Sequence, residues 1–227
     1  MIKKCDLNSC FLCRNSLAGW LPAIESHKTN LNFKKGQNIF SEGEHVKGIY
    51  FLYLGKAKVH KSWGPDKELI LKFAKEGDMI GYRGLGNEKI YPVTATTLEP
   101  ATVCFIDLSF FDETLKANYQ FTYQLMQFYA NELLEAENRM RNLALMEVKG
   151  RLAETLLLLK KSFGLAKDGS IDIALSRQDI ASYTGTTYET LFRTMNELVK
   201  KKIIKVTGKK IMIANESKLN ELVDYKK

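Results

Sequence analysis

Short apolar stretches separated by glycines fill the first half of the chain. Between residues 30 and 107, these stretches are "NIF", "GIYFLYLGKAKVHK", "KELILKFA" and "TVCFID". They are rich in β-branched and aromatic residues, which favour strands, and the seven glycines from Gly36 to Gly81 mark turns. The pattern predicts an all-β barrel, roll or sandwich.

The apolar pattern changes over residues 113–148, which contain neither Gly nor Pro. Six apolar residues follow one another there at alternating steps of three and four, which is the spacing of a coiled-coil seam. The pattern predicts one long helix that pairs with the same helix of a second copy. A helix that packs the same residues against its own domain would show the same spacing. We call the six residues the heptad stripe: Met126, Tyr129, Leu133, Ala136, Met140 and Leu143.

Short helices and turns are predicted from residue 150 onward. In "SRQDIASYTG", Ser176 is a favoured N-cap residue and Asp179 stands at the N3 position of a capping box. Gly185 interrupts the pattern before a second helix, "TTYETLFRTMNELVKKK", and "IIKVTGKKIMIA" forms a hairpin with Gly208 in its turn. Two helices joined at a glycine and followed by a basic hairpin predict a winged helix-turn-helix, whose second helix enters the DNA major groove.

The distribution of charge supports a polyanion partner for this last third. The chain of 227 residues has a net charge of +8, with 16 Lys and Arg against 9 Asp and Glu in residues 149–227 but 18 against 17 before them. A basic segment attached to a neutral body favours nucleic acid. A lysine-rich solvated surface would give the same count.

Other classes of protein find little support in the sequence. No apolar run approaches the ~20 residues of a membrane span, and the N-terminus has no apolar signal region, so we expect a cytoplasmic protein with no membrane partner. His27, His45 and His60 have no metal-ligand spacing, and neither a Walker loop nor a nucleophile elbow is present. We therefore predict that the protein is not an enzyme.

At this point the sequence resembles a known family. The stretch from "SRQDIASYTG" to "KKIMI" is similar to the DNA-binding domain of the Crp/Fnr family of bacterial transcription regulators, including the E-T-x-x-R core at Glu189–Arg193. "FKKGQNIFSEGEHVKGIYFLYLGKAKVHK" resembles the family's β-roll signature, and "GDMIGYRGLGN" resembles the stretch that lines its effector pocket. The resemblance covers about residues 30–215.

The resemblance implies an α+β fold in four segments. These are an N-terminal arm with the cysteines and short helices (1–29), a β-roll effector domain (30–112), a dimerisation helix (113–148) and a winged helix-turn-helix domain (149–227). It also implies a homodimer on a pseudo-palindromic site in double-stranded DNA, and RNA polymerase as a partner if the protein is an activator. A rival hypothesis is a cyclic-nucleotide-sensing regulatory domain of an enzyme or channel assembly, but such an assembly has no use for a base-contacting helix.

The residues of the second helix have the chemistry for base contacts. Arg193 can donate to the O6 and N7 atoms of guanine, and Glu189 can accept from the cytosine amino group. Since they are four residues apart on one helical face, they can also order each other. The family's two further base-contact positions fall on Tyr188 and Phe192, and Phe192 can pack on a thymine methyl group. The expected phosphate contacts are Gln178, Thr186, Thr187, Thr190 and Lys209.

The predicted effector pocket consists of Gly81, Tyr82, Arg83 and Lys89. In cyclic-nucleotide-binding members of the family, a glutamate binds the ribose hydroxyl and an Arg-Ser pair binds the phosphate. Tyr82 falls at the glutamate position, and Lys89 and Ile90 fall at the Arg-Ser position. Tyrosine does not accept as a carboxylate does, and isoleucine cannot hydrogen-bond a phosphate. The sequence therefore argues against cyclic nucleotide as the effector.

Four cysteines, Cys5, Cys10, Cys13 and Cys104, are candidate metal ligands. The oxygen-sensing branch of the family holds an iron–sulfur cluster with three N-terminal cysteines and one in the β-roll, and this chain resembles that branch more than the cyclic-nucleotide branch. The C-x4-C-x2-C spacing departs from that sensor but occurs at clusters in plant-type ferredoxins. A structural zinc site needs the same four thiolates. Reduced thiols that bind no metal are the third alternative.

Overall fold

The computed structural model describes residues 10–64 and 67–223. The chain forms two compact units, Met1–Leu134 and Glu135–Lys227. Cys5 lies outside the described residues, so the predicted ligand set is described only at its other three positions.

The first unit is built on two four-stranded antiparallel sheets. The strands are β1 Thr29–Phe33, β2 Asn38–Phe40, β3 Gly48–Leu54, β4 Ala57–Trp63, β5 Lys67–Ala74, β6 Met79–Ile80, β7 Thr94–Thr97 and β8 Ala101–Asp107. One sheet has the strand order β1-β8-β3-β6 and the other β2-β7-β4-β5. Both mix strands that are distant in the chain, which is the topology of a roll, so the prediction of an all-β roll, barrel or sandwich is confirmed.

Strand β3 explains why its segment is apolar at every position. Alternate residues of a strand point to opposite faces of a sheet. Ile49 and Phe51 lie in one buried cluster, and Tyr50 and Leu52 lie in another. Because both faces of β3 are covered, the strand lacks the polar alternation of a half-exposed strand.

Short helices cover the first of these clusters. They are α1 Phe11–Asn15, α2 Leu21–His27 and α3 Leu108–Ala117, with a 3-10 turn at Ala18–Trp20. The indole nitrogen of Trp20 donates to the Thr114 hydroxyl over 3.1 Å, and the His27 ring stacks on Phe110 at a centroid distance of 4.0 Å. These contacts join the N-terminal helices to α3.

The prediction of one helix over residues 113–148 is wrong at both ends. Helix α3 ends at Ala117, α4 runs from Tyr119 to Leu145, and the next helix begins at Val148. The break has a local cause: the buried Asn118 leaves the helical region (φ −111°, ψ 79°), and its side-chain oxygen accepts from the backbone N–H of Phe121 over 3.1 Å. Asparagine competes with the helix in this way and starts a new one.

The second unit contains the predicted helix-turn-helix and hairpin. Its elements are α5 Val148–Phe163, α6 Arg177–Thr184, α7 Tyr188–Lys200, β9 Ile204–Thr207, β10 Lys210–Ile213 and α8 Glu216–Asn220. The Ser176–Asp179 capping box is present, and Gly208 lies in the β9–β10 turn with φ 58°. Within the described residues, no helix is both long enough and apolar enough to cross a membrane.

Candidate nucleic-acid interface

The turn between α6 and α7 is fixed by backbone geometry and by one cap. Gly185 adopts a left-handed conformation (φ 70°), which glycine adopts without steric cost. Thr187 is the N-cap of α7, and its hydroxyl oxygen accepts from the backbone N–H of Thr190 over 3.2 Å. The start of α7 is therefore well defined in the sequence and in the structure.

Helix α7 has one buried face and one exposed face. Leu191, Met195 and Leu198 are at most 3% exposed and hold the helix on its unit. Tyr188 and Phe192 on the other side are 44% and 53% exposed. Their rings stack nearly parallel, with centroids 6.3 Å apart. The helix thus presents an ordered aromatic pair to solvent.

Glu189 and Arg193 are also exposed on α7. Among the ion pairs of the described chain, none joins these two side chains, although they are four residues apart. The expectation that they order each other therefore finds no support in the structure. Both side chains remain accessible to base edges.

The expected phosphate-contact residues differ in their exposure and hydrogen bonding. Gln178 on α6 and Lys209 in the hairpin turn are exposed, and Thr186 is half-buried. The hydroxyl groups of Thr187 and Thr190 already hydrogen-bond each other over 3.1 Å. Both threonines therefore take part in the cap of α7.

Arg177 was not singled out in the sequence, but it joins α6 to the hairpin. Its Nη2 donates to the Gly208 carbonyl over 2.6 Å, and its buried Nη1 has no hydrogen-bond partner in the described chain. Partial burial lowers the pKa of this guanidinium, although it stays charged at neutral pH. Arg177 therefore fixes the hairpin turn that carries Lys209.

Arg151 on α5 was not singled out in the sequence either, and it hydrogen-bonds to the backbone of the helix-turn-helix. Its Nε donates to the Thr184 carbonyl over 3.0 Å and its Nη2 to the Gly185 carbonyl over 3.1 Å. Its Nη1 donates to the carbonyl of Met146, just past α4, over 2.6 Å. One guanidinium thus joins the end of α4 to the α6–α7 turn. Backbone acceptors leave no mark in a sequence, so pattern analysis had no signal for this role.

The six residues of the heptad stripe differ in their surroundings. Met126, Leu133 and Met140 are 58%, 62% and 61% exposed. The Tyr129 hydroxyl donates to the Tyr82 carbonyl over 2.7 Å, and burial raises the pKa of Tyr129 to about 12. Ala136 and Leu143 are half-buried, and a Cβ added to Gly185 would stand 2.4 Å from Leu143. Two further aromatic residues of α4 that lie outside the heptad stripe, Tyr119 and Tyr123, are also exposed.

The residues of the predicted effector pocket divide into two places. Gly81, with φ 86°, begins a short turn that places Tyr82 and Arg83 beside Glu132 of α4. Lys89 lies in another turn with φ 50°, and its carbonyl accepts from the backbone N–H of Val46. Lys89 is therefore not among the groups that bond to Glu132.

Three of the four candidate metal ligands lie in the same buried cluster. Cys10, Cys13 and Cys104 are 7%, 7% and 5% exposed, and all three belong to the cluster that contains Ile49 and Phe51. Within residues 10–64 and 67–223, no group of three or more His, Cys, Asp or Glu side chains is placed to hold a metal ion. Since Cys5 lies outside those ranges, the four-cysteine site stays a prediction.

Comparison with known proteins identifies two domains. Residues 30–118 match the cyclic nucleotide-binding domain, and residues 150–222 match the Crp-like helix-turn-helix domain. The anaerobic regulatory protein of Bacillus subtilis is 28% identical over 194 residues, which are 83% of this chain and 82% of that protein. The fumarate and nitrate reduction regulatory protein of Vibrio cholerae is 28% identical over 196 residues, 86% of this chain and 78% of that protein. The structure of FixK2 from Bradyrhizobium japonicum superposes with a TM-score of 0.78 at 25% identity, covering 88% of this chain and 99% of that one.

The role of Arg151 leads to a prediction about stability. Arg151→Lys keeps the charge but loses the planar fork that spans three carbonyl groups. Leaving part-buried carbonyls without a donor should lower the free energy of unfolding by about 1–3 kcal/mol, measured by urea denaturation of the full chain. Lys201→Gln, which removes an exposed ion pair with Glu197, is the matched control and should have little effect. Equal stability of Arg151→Lys and the unsubstituted protein would contradict this role.

Proposed function

This chain belongs to the Crp/Fnr family of transcription regulators, and from that premise we propose that it binds a specific site on double-stranded DNA as a homodimer. The observation that carries the proposal is the exposed face of α7 beside a basic hairpin. We propose a cytoplasmic DNA-binding protein, not an enzyme. A pseudo-palindromic site follows from two identical recognition helices related by a two-fold axis.

The proposed base contacts use two kinds of chemistry on one helix face. Arg193 donates to guanine and Glu189 accepts from the cytosine amino group, which together favour a G·C pair in the half-site. Tyr188 and Phe192 form an apolar wall suited to a thymine methyl group. The stacking of their rings supports this assignment, because a fixed pair loses less conformational freedom on binding than two mobile side chains do.

Proposed phosphate contacts hold α7 in register on the duplex. Gln178 and Lys209 are exposed, and the N-terminus of α7 favours an anion. Phosphate contacts position a protein without conveying sequence information. We assign Gln178, Thr186, Thr187, Thr190 and Lys209 to this group, and we propose that the bound dimer acts on transcription by contacting RNA polymerase where it activates.

We propose that the first unit senses a redox signal through its cysteines. Cys10 and Cys13 are about ninety residues from Cys104 in the chain, yet all three are buried in one cluster. This convergence supports a site completed by Cys5. The names of the two relatives above refer to anaerobic regulation and to fumarate and nitrate reduction. An iron–sulfur cluster on four thiolates would supply an oxygen-labile redox group there.

The base contacts can be tested by comparing one variant that removes an arginine with one variant that removes a lysine. Arg193→Ala should lower the affinity for the cognate site by about 1–3 kcal/mol and relax the preference at one base pair. Lys209→Ala should weaken binding to all sequences alike and flatten the salt dependence. The measurement is a binding titration on the cognate site and on single-base variants at several salt concentrations. Equal weakening of every sequence by Arg193→Ala would show that this residue does not contact a base.

The dimer can be tested on the exposed part of the heptad stripe. Replacing both Leu133 and Met140 with Glu should give a folded monomer, because each side chain is more than half exposed in the single chain and like charges would meet across the seam. Sedimentation measures the mass and circular dichroism checks the fold. Leu145→Glu is the control, since Leu145 is 81% exposed on α4 but lies outside the stripe. A double variant that stays dimeric and binds DNA normally would overturn the assignment.

The metal site can be tested by analysis of protein purified without oxygen. We expect about four irons and matching sulfide per chain, as a four-iron cluster on four thiolates requires, with a broad visible absorbance that disappears in air. Zinc without colour would identify the structural alternative. Protein that contains neither metal, and whose DNA binding is unchanged by Cys10→Ser and Cys104→Ser, would leave the cysteines as buried thiols.

A further inference from the structure

One turn of α4 carries a carboxylate that three donors of the β-roll surround. Lys72 on β5 donates to Glu132 over 2.6 Å, and the Arg83 guanidinium donates to it over 2.9 Å. The hydroxyl of Tyr82 donates to the same carboxylate oxygen as Arg83. We call these four residues the Glu132 site. All of them belong to the first unit.

The electrostatics of the site keep Glu132 charged. Its side chain is only 11% exposed, and burial alone would raise the pKa of the carboxyl group. Lys72, Tyr82 and Arg83 outweigh that effect and hold the pKa of Glu132 below its ordinary value. A buried carboxylate with two cations and a hydroxyl donor is well satisfied, but removing it would leave the two cations and the hydroxyl without their acceptor.

Aromatic packing around the site holds the same turn of α4. The Phe128 ring meets the Tyr82 ring edge-on at a centroid distance of 4.9 Å, and the Lys72 ammonium lies 5.3 Å from the centre of Phe128. Tyr129 adds its hydrogen bond to the Tyr82 carbonyl. One face of α4 therefore packs against the segment around Tyr82, through Phe128, Tyr129 and Glu132.

Fixing this face also fixes the face that the helix leaves exposed. Leu133 follows Glu132 directly, so its side chain is rotated by about 100° around the helix axis. Leu133 is 62% exposed and Met126, one heptad earlier, is 58% exposed. While Glu132 is bound to the β-roll, these two residues of the heptad stripe stay exposed and can pack against a partner helix.

Two of the three donors of the Glu132 site lie in the segment that the sequence assigns to effector binding. Tyr82 and Arg83 are two of the predicted pocket residues, and both bond to a carboxylate of this chain's own helix. We propose that Glu132 is a built-in anionic ligand of the β-roll, which sets the rotation of α4 for dimerisation without a diffusible effector. This inference rests on the proposed function, since the dimer is the species whose formation it controls.

The decisive variant is Glu132→Ala, tested with added acetate. Removing the carboxylate should weaken dimerisation about tenfold or more, as expected when a buried charged partner is lost. Acetate should restore dimerisation of Glu132→Ala, compared with chloride at equal ionic strength, because a free carboxylate can enter the vacated site. Acetate should leave the unsubstituted protein unchanged. Sedimentation measures both effects, and Glu135→Ala is the matched control for loss of an exposed glutamate on the same helix.

A second measurement keeps the inference separate from DNA binding. In the unsubstituted protein the Lys72 amine is bonded to Glu132, so acetic anhydride should modify it slowly. In Glu132→Ala the modification of Lys72 should be several-fold faster. Mass spectrometry measures both rates. If the alanine variant does not fold, Glu132→Gln takes its place. This variant keeps one acceptor oxygen, so Lys72 should be modified faster than in the unsubstituted protein but by a smaller factor than expected for Glu132→Ala. If the unsubstituted protein failed to bind any DNA site, the proposed function would fail while the Lys72 and dimer measurements still judged the Glu132 site. Unchanged Lys72 reactivity, or unchanged dimerisation in the folded variants, would overturn the inference.

Discussion

The rotation of α4 about its own axis determines which of its residues pack against the β-roll and which remain exposed. One helix must satisfy its own unit on one face and leave a second face apolar and exposed. The bonds to Glu132 and Tyr129 settle this conflict by fixing one turn of the helix from the β-roll side. Hydrophobic packing alone would not do so, because the exposed residues of the helix are themselves apolar and could pack inward.

Both units hold their parts of α4 with polar contacts. In the second unit the Arg139 guanidinium lies 4.4 Å from the centre of the Tyr183 ring and donates to the Tyr183 carbonyl over 2.8 Å. Asn142 donates to the carboxylate of Glu154 over 2.8 Å. Directional bonds define an orientation where apolar contacts permit several, and charged groups make them stronger. The α6–α7 turn is therefore positioned relative to the last turns of α4 by defined hydrogen bonds.

Sequence patterns predicted the elements whose causes are local. The Ser176–Asp179 cap, the left-handed Gly185 and the hairpin at Gly208 each depend on residues within a few positions, so their signals are visible in the sequence. Asn118 shows the limit of that approach, because its apolar neighbours continue a helical pattern while its side chain ends one helix and starts another. The Glu132 site could not be predicted at all, since its donors are 49 to 60 residues away along the chain. The role of Arg151 could not be predicted for a different reason, because its acceptors are backbone carbonyls, which every residue type carries.

Some lysines of the second unit form ion pairs with acidic side chains, and others do not. Lys149, Lys160 and Lys210 are each committed to an acidic partner, Glu197, Glu216 and Asp168 respectively. In the described part of the unit, Lys205 and Lys209 of the hairpin make no ion pair and are exposed. Paired lysines contribute little field at a distance, whereas unpaired ones attract a polyanion over about a Debye length. The hairpin is therefore one place in the unit where basic charge is exposed and unpaired, and it follows α7 directly in the chain. An unpaired basic hairpin next to α7 in the chain fits the proposed function, in which charge attracts the duplex and α7 contacts the bases.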